Sequence, residues 1–236
     1  MKIALIGYGK MGKAIEAIAI QKGIDIVLKS NNHDDLQISS DIKDADVAIE
    51  FTQASAAVEN ILFCFKHGVP VVCGTTGWLN DFNIIEDAVK KYNAGFIYAS
   101  NFSIGVNIFF ELNKRLASLI SSQEQYDVNI SETHHIHKKD APSGTAITLA
   151  EQIIDSGKKK NWIPGESESN SSLGISSYRM EEVPGSHEIK YFCSDDSITI
   201  RHDAYNRNGF ATGALEAAIF LKGKKGLYTM KDVLKL

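Results

Sequence analysis

The chain has 236 residues, of which 44% are hydrophobic and 23% charged, and its formal net charge is −4 at pH 7. This length and apolar fraction are sufficient for one or two packed domains. The mild acidic charge lacks the basic excess typical of nucleic-acid binding, and no run of about 18 apolar residues predicts a membrane span.

The cysteines and the first residues indicate the cellular compartment of the chain. Cys64, Cys73 and Cys193 lie far apart and are odd in number, which suits reduced thiols rather than disulfides. Met1-Lys2 leads straight into an apolar run, without the features of a signal peptide. Both observations predict a cytoplasmic protein.

The amino-terminal stretch combines a short apolar strand with a glycine-rich loop. Lys2 to Ile6 is followed by Gly-x-Gly-x-x-Gly and then by a helical pattern that continues to Gly23. This order is typical of dinucleotide-binding sites, because the glycines let backbone N–H groups approach a pyrophosphate at the helix N-terminus. A tight structural turn is the alternative. The candidate cofactor-binding residues of the loop are Gly7, Tyr8, Gly9, Lys10, Met11 and Gly12.

The second predicted strand, Asp25 to Leu28, lacks the acidic residue that would accept the ribose hydroxyls of NAD at its end. Lys29 stands there instead, and its ammonium group could meet the 2′-phosphate of NADP. Lys10, inside the glycine loop, could do the same. These lysines favour NADPH but leave NADH open, because an exposed lysine after a strand is common and the following loop contains Asp34 and Asp35.

Strands alternate with helices over residues 46–103, a pattern that predicts a parallel, doubly wound sheet. The predicted strands are 46–51, 69–73 and 95–99, and the predicted helices between them are 54–67 and 79–92. Ligands bind in such sheets at the carboxyl ends of the strands. That topology assigns to the cofactor crevice the loop residues Gly74, Thr75, Thr76, Ala99, Ser100, Asn101 and Phe102.

The rest of the chain predicts a second, mixed or antiparallel sheet. A helix over 104–120 leads into its strands, which are 126–133, 175–180, 187–193 and 197–202. Residues 157–172, rich in Lys, Ser, Gly and Asn, are interpreted as a long surface loop. A final helix over 209–221 precedes a tail, 226–236. The predicted fold class is α/β, with a Rossmann-like doubly wound domain and a second α+β domain.

Residues 132–146 concentrate the polar chemistry of the chain. Three histidines and two lysines fall within six positions, between the strand 126–133 and a helix that begins at the N-cap residue Ser143. Such groups beside the free N–H groups of a helix start suit an anionic substrate that needs proton transfer. A solvated loop is the plain alternative. A metal site is disfavoured, because neighbours on a strand, such as His134 and His135, point to opposite faces.

This stretch closely resembles the signature of the 4-hydroxy-tetrahydrodipicolinate reductase family, Glu-x-His-His-x-x-Lys-x-Asp-Ala-Pro-Ser-Gly-Thr-Ala, at every fixed position. The family's Phe-Thr, Gly-Thr-Thr-Gly and Asn-Phe-Ser-x-Gly-Val-Asn also occur, at 51–52, 74–77 and 101–107. The resemblance covers nearly the whole chain. The sequence departs from the family in a glycine loop one residue shorter than is usual, and in Glu181 where Arg-x-Gly is usual.

The resemblance implies an enzyme of lysine and diaminopimelate synthesis that reduces 4-hydroxy-tetrahydrodipicolinate to tetrahydrodipicolinate with NADH or NADPH. It makes His134 and Lys138 the general acid–base pair, with Lys138 as the proton donor. It assigns the contacts with the dicarboxylate substrate to His135, Gly144 and Thr145. Asp140 is expected either to shape the loop or to contact the substrate.

The resemblance also implies the domain organisation. The dinucleotide-binding domain is expected to be discontinuous, comprising 1–103 and 208–236. Residues 104–207 are expected to form the substrate-binding and oligomerisation domain, whose sheet builds a homotetramer.

Two further hypotheses remain open at this point. Another small-substrate dehydrogenase of the same architecture, such as an aspartate dehydrogenase, would share the glycine loop, and a product assay separates the two. A non-catalytic NAD(P)-sensing regulator would need an effector or DNA-binding module, and no basic helix-turn-helix stretch is visible. A regulator would also leave His134 and Lys138 without a role.

Overall fold

The computed structural model describes residues 1–31 and 40–236. The chain forms two compact units, of which the first comprises Met1–Ile104 with Arg207–Leu236 and the second comprises Gly105–Asn206. Asp34 and Asp35, which the sequence placed in the loop after the second strand, lie outside the described residues.

The first unit is built around a parallel sheet of six strands. In chain order these are β1 (Lys2–Ile6), β2 (Asp25–Ser30), β3 (Val47–Glu50), β4 (Val71–Cys73), β5 (Gly95–Tyr98) and β11 (Gly226–Tyr228). Their order across the sheet is β11-β5-β4-β3-β1-β2, and every pair is parallel. The direction of winding reverses at β1, so the glycine loop follows the strand at the switch point, where ligands bind in sheets of this kind.

Helices cover both faces of this sheet, as a parallel sheet requires. They are α1 (Lys10–Gln21), α2 (Ala54–Lys66), α3 (Phe82–Tyr92), α6 (Asn208–Leu221) and α7 (Met230–Leu234). Alternate residues of β1 enter opposite cores: Ala4 and Ile6 pack in one cluster, whereas Ile3 and Leu5 pack in the other. The central strands are therefore apolar on both sides, which explains their continuous hydrophobic runs in the sequence.

The second unit is a mixed five-stranded sheet with two helices. The strands are β6 (Asp127–His134), β7 (Asn161–Pro164), β8 (Ser172–Arg179), β9 (Gly185–Phe192) and β10 (Ser197–Ala204), and the helices are α4 (Ile104–Ile120) and α5 (Gly144–Asp155). Across the sheet the order is β10-β9-β6-β8-β7. The β10–β9–β6 pairs are antiparallel and the β6–β8–β7 pairs are parallel. The predicted fold class, a Rossmann-like sheet with a second α+β part, is confirmed.

Three differences from the sequence prediction affect the two sheets. Residues 157–172 contain the short strand β7, which adds to the sheet edge by pairing with β8. The predicted tail, 226–236, contains β11 and α7, because β11 pairs with β5. Strand β2 extends to Ser30, so Lys29 lies within the strand rather than after it. Short edge strands carry too few residues for alternation to be recognised in the sequence.

Within the described residues, every helix falls short of the length and apolarity that crossing a bilayer demands.

Candidate active site

The buried face of β6 ends in two polar residues. Along this strand Val128 and Ile130 face the core, and the alternation continues through Glu132 and His134, which are also buried. A carboxylate and an imidazole therefore follow the apolar core residues on the buried face of this strand. A buried charge needs hydrogen-bonded partners, so the surroundings of Glu132 decide what this site can do.

Glu132 is held by groups from three neighbouring elements. Its carboxylate accepts hydrogen bonds from the backbone N–H of Ser143, at 3.0 and 3.1 Å to its two oxygens, and from the hydroxyl of Ser177 at 2.8 Å. Nε2 of His187 lies 3.6 Å from Oε2, and Nη1 of Arg179 lies 3.7 Å from Oε1. Burial alone would raise the pKa of Glu132, but contacts with His187 and hydrogen bonds from Ser143 and Ser177 lower it to about 2. Glu132 is therefore ionised at neutral pH.

Strand register brings these partners together. Glu132 pairs directly with Ser177 of β8 on one side and with His187 of β9 on the other. His134 pairs with Arg179 of β8. Directly opposed residues on neighbouring strands place their side chains in contact range. Segments far apart in the chain thus meet at the carboxyl end of β6.

His134 is buried among polar and charged side chains. Its Nδ1 lies 3.6 Å from Oε2 of Glu132, too far for a hydrogen bond, and has no hydrogen-bond partner in the part of the chain that the structure describes. Burial, together with the nearby His187, lowers the pKa of His134 to about 4. A Cβ at Gly185 would lie 3.1 Å from Nε2 of His134, so a side chain there would press on the imidazole. Because the pKa of His134 is about 4, its imidazole is neutral at physiological pH.

Lys138 lies in the loop after β6, and Arg179 fixes the backbone of that loop. The ammonium group of Lys138 forms an ion pair with Asp140 at 2.9 Å. Arg179 donates to the backbone carbonyl of Asp140 at 2.6 Å and to that of Lys138 at 3.3 Å. Asp140 therefore has a contact with Lys138, and the loop is tied to β8 at two carbonyl groups.

The proposed substrate contacts surround the start of α5. Ser143 caps this helix, as predicted, with its hydroxyl accepting from the N–H of Ala146 at 3.2 Å. Gly144, exposed, and Thr145, half-buried, form the first turn, whose N–H groups favour an anion. His135 is half-buried, and its ring centre lies 6.2 Å from that of His137. Its direct neighbour His134 is buried, as alternation along β6 requires.

Glu132, His134 and His187 have ligand atoms within 4.8 Å of one another and could hold a metal ion. This trio differs from the three histidines considered in the sequence, His134, His135 and His137. The carboxylate already accepts from Ser143 and Ser177. The hydrogen bonds of Glu132 therefore tie β6 to β8 and to the start of α5, and His134 packs beside them.

In the glycine loop of the first unit, one glycine has room for a side chain and two do not. A Cβ at Gly7 would lie 1.9 Å from the carbonyl oxygen of Phe51, and one at Gly12 would lie 2.5 Å from that of Gly7. Gly7 also has a φ of 92°, which favours glycine. At Gly9, the N-cap of α1, a Cβ would meet nothing within 4 Å. Gly7 and Gly12 shape the loop, whereas Gly9 leaves open space at a helix N-terminus, which fits a bound phosphate.

The other residues predicted to contact the cofactor follow the strand ends of this unit. Thr75 is buried, and its hydroxyl accepts from the N–H of Thr52 at 2.7 Å. The ring of Phe102 is buried against Phe51, with ring centres 5.8 Å apart, so its backbone is what it can offer a ligand. Lys10, Thr76 and Ser100 are exposed, and Tyr8, Met11, Gly74, Ala99 and Asn101 are half-buried.

Lys29 is already engaged. Its ammonium group lies 2.6 Å from Oε1 of Glu16 on α1 and 5.0 Å from the ring centre of Tyr8. The sequence reading of Lys29 as a free partner for a phosphate omitted this carboxylate.

Sequence reasoning assigned no role to the partners that build the second-unit site. Ser177, Gly185 and His187 were read only as strand or loop residues. The alternation that buries His187 with Ile189 and Tyr191 on one face of β9 was the available signal.

The family comparisons agree along the length of the chain. The family description "Dihydrodipicolinate reductase, N-terminus" matches residues 1–102, and "Dihydrodipicolinate reductase, C-terminus" matches residues 105–234. The two matches meet close to the division between the units.

Individual relatives give the same result. The chain is 50% identical to a 4-hydroxy-tetrahydrodipicolinate reductase of Christiangramia forsetii over 99% of this chain and 98% of the relative. It is 39% identical to the corresponding reductase of Rickettsia rickettsii over the full length of both. A dipicolinate-bound dihydrodipicolinate reductase from Paenisporosarcina sp. TG-14 has the same fold, with a TM-score of 0.75, 24% identity and 97% of both chains covered. The chain therefore belongs to the dihydrodipicolinate reductase family.

Proposed function

We propose that this chain reduces 4-hydroxy-tetrahydrodipicolinate to tetrahydrodipicolinate with NADH or NADPH, in the synthesis of diaminopimelate and lysine. In this reaction the substrate loses its hydroxyl group as water and gains a hydride and a proton. The observation that carries the proposal is the signature stretch, with His134 and Lys138 next to the N-terminus of α5 in a chain that matches the family over its full length.

Lys138 is the proposed proton donor. An ammonium group carries the proton at neutral pH, whereas His134, with its pKa of about 4, does not. His134 is instead suited to accept a hydrogen bond from, or take a proton from, a group that reaches it. Asp140, paired with Lys138 at 2.9 Å, holds the ammonium group in position until substrate arrives.

The substrate carboxylates are proposed to bind where α5 begins. The backbone N–H of Gly144 and the hydroxyl of Thr145 offer donors to one carboxylate, with the positive end of the helix dipole behind them. His135 supplies a further polar contact. The hydrogen bond from Ser143 to Glu132 anchors this helix end to β6 at 3.0 Å, so the donors are pre-oriented.

The first unit is proposed to hold the dinucleotide. The open space at Gly9 and the N-terminus of α1 fit its pyrophosphate, and the strand-end residues around Gly74 and Asn101 fit the rest. The bound nicotinamide supplies the hydride. Residues 1–103 with 208–236 are thus the proposed dinucleotide-binding domain, and 104–207 are the proposed substrate-binding and oligomerisation domain.

A homotetramer in the cytoplasm is the proposed working form. One face of the second sheet packs against α4 and α5. The other face forms a cavity with a volume of about 430 Å³, lined by outward residues of β6, β8 and β9. Tyr178, 53% exposed, lies on that open face. If this face joins copies of the chain, Tyr178→Glu should lower the mass of the assembly measured by light scattering. All three cysteines are free thiols, which suits a reducing compartment.

Oxidation of NADH and NADPH is the direct test, with the product of a dihydrodipicolinate synthase as substrate. We expect substrate-dependent oxidation and formation of tetrahydrodipicolinate, identified by mass spectrometry. A reaction without synthase measures background oxidation. Oxidation that depends on another substrate, such as oxaloacetate with ammonia for an aspartate dehydrogenase, would contradict the proposal.

A further inference from the structure

Three side chains from different elements form a charged cluster at the edge of the first sheet. Oε1 of Glu16, on α1, accepts a hydrogen bond from Nζ of Lys29, on β2, at 2.6 Å. Oε2 of Glu16 accepts a hydrogen bond from the hydroxyl of Tyr8, in the glycine loop. The Lys29 ammonium group also lies over the Tyr8 ring. We call these three residues the Glu16 cluster.

The cluster lies at the position where dinucleotide-binding folds contact the ribose of the adenosine half. In such folds an acidic residue at the end of the second strand accepts the ribose hydroxyls of NAD, about 20 residues after the glycine loop begins. Here β2 ends in Lys29 and Ser30, and the carbonyl of Ser30 accepts from the N–H of Gly7 at 2.8 Å. The glycine loop and the end of β2 are therefore adjacent, and the Glu16 cluster spans them.

We propose that Glu16 determines cofactor preference: it supplies from α1 the acid that the carboxyl end of β2 lacks, and it neutralises Lys29 against the 2′-phosphate of NADPH. This inference rests on the proposed function, because it concerns the same dinucleotide site. With Glu16 in place, the carboxylate can accept the ribose hydroxyls of NADH. Without it, Lys29 would lose this carboxylate partner and could pair with the 2′-phosphate.

The charge states of the cluster support this reading. The hydrogen bond from Lys29 lowers the pKa of Glu16, so that the carboxylate is ionised at neutral pH. The hydrogen bond to Glu16 raises the pKa of Lys29 and that of Tyr8, so that both keep their protons. The three side chains together carry no net charge. A 2′-phosphate, with its charge of about −2, meets both attraction and repulsion there.

The competing explanation is a surface ion pair that only ties α1 to β2. The exposed fractions of the Lys29 and Glu16 side chains are 44% and 19%, so such a tie would contribute little to stability. A tie of this kind affects both cofactors equally. Discrimination between phosphorylated and unphosphorylated ribose is the property that separates the two explanations.

The test compares Glu16→Gln, which keeps shape and removes the charge, with Lys29→Met, which removes the opposite charge. The matched control is Glu216→Gln, which breaks the Lys22–Glu216 pair of the same unit, also 2.6 Å long. Calorimetry measures the dissociation constants of 5′-AMP and 2′,5′-ADP, which differ by the phosphate alone. Steady-state kinetics then give kcat/KM for NADH and NADPH in each variant.

Glu16→Gln should shift the ratio of the affinities for 2′,5′-ADP and 5′-AMP by about tenfold in favour of 2′,5′-ADP. This is the effect expected when one negative charge is removed near a phosphate. The ratio of kcat/KM for NADPH to that for NADH should rise in the same direction. Lys29→Met should shift both ratios the other way, and Glu216→Gln should change neither. Ratios that stay within about twofold of wild type in both cluster variants would overturn the inference. Equal loss of both ligands would also overturn it, in favour of the structural tie.

The two proposals fail separately. The nucleotide fragments bind without substrate, so their discrimination does not depend on which substrate is reduced. Substrate-dependent oxidation with unchanged ratios would leave the reductase function standing and remove Glu16 from cofactor choice. Shifted ratios without oxidation of the expected substrate would keep the role of Glu16 and contradict the proposed substrate.

Discussion

Nδ1 of His134 lies 3.6 Å from Oε2 of Glu132, two residues earlier on the same buried face of β6. An ionised carboxylate so close would ordinarily favour a charged imidazole, but burial and the nearby His187 outweigh it, and the pKa of His134 falls to about 4. The carboxylate thus serves as a support for the surrounding strands, and the histidine beside it stays neutral.

Acid should destabilise the folded chain through His134. Its pKa is lowered from 6.5 to about 4 by folding, so the unfolded chain binds this proton more tightly. The stabilising contribution is complete above pH 6.5 and is lost as the pH falls towards about 4. We expect the free energy of unfolding to drop between about pH 7 and pH 5, by on the order of 2 kcal/mol from this residue.

Urea denaturation at the two pH values measures this loss. His134→Gln should lose less stability than wild type over the same interval, because the variant has no imidazole to protonate there. His137→Gln, at an exposed histidine of the same loop, should behave like wild type. Equal pH dependence in all three proteins would show that His134 does not govern acid sensitivity in this range.

Glu132→Gln should impair catalysis and stability while sparing the dinucleotide site. The pKa of Glu132 is about 2, so the variant removes a buried negative charge that Ser143, Ser177 and Arg179 face. We expect a loss of about 3 kcal/mol in the free energy of unfolding, as for other broken buried pairs. Misplacement of His134 and the α5 terminus should lower kcat by roughly 100-fold.

Denaturation, steady-state kinetics and NADH titration measure these three properties. Glu151→Gln, at an exposed carboxylate on α5, is the matched control and should resemble wild type. A variant with reduced stability but normal kcat would limit Glu132 to a structural role. Weakened NADH binding would mean that the substitution disturbs the first unit as well.

The sequence predicted the parts of this molecule that local patterns specify. The glycine loop, the helices other than α7 and the signature at 132–146 were recognised because their period or residue types are visible within a short window. The Glu132 partners were missed because Ser177 and His187 reach it through strand register, 45 and 55 residues away along the chain. Glu16 was missed because an acid in a helix ordinarily faces solvent.

Gly9→Val should weaken dinucleotide binding without unfolding the protein. A Cβ at Gly9 meets no protein atom within 4 Å, so an added side chain would occupy space proposed for the pyrophosphate. We expect the dissociation constant of NADH to rise more than about tenfold, with a melting temperature close to that of wild type. Fluorescence titration and calorimetry measure the two quantities.

Gly12→Val provides the contrast to Gly9→Val. A Cβ at Gly12 would lie 2.5 Å from the carbonyl oxygen of Gly7, so this substitution should destabilise the loop itself. Unchanged NADH affinity in a folded Gly9→Val protein would show that the glycine loop is only a structural turn.

Lys138→Ala should abolish most of the chemical step. The ammonium group of Lys138 is held by Asp140 at 2.9 Å, in a loop that Arg179 fixes through two carbonyl groups, so its position does not depend on the dinucleotide. Loss of a general acid should lower kcat by about 100-fold or more, with NADH affinity near wild type. His134→Gln should also lower kcat, with the same unchanged affinity.

The split between kcat and KM assigns the roles. A fall in kcat at constant KM places a residue in transition-state stabilisation, whereas a rise in KM alone marks a binding group. Lys139→Ala, at the exposed neighbouring lysine, controls for the loss of one positive charge from the loop and should retain kcat. Lys138→Arg keeps the charge but holds its proton too tightly to donate it, so it should not restore activity. Near-normal kcat in both Lys138→Ala and His134→Gln would mean that the proton comes from water or from another group.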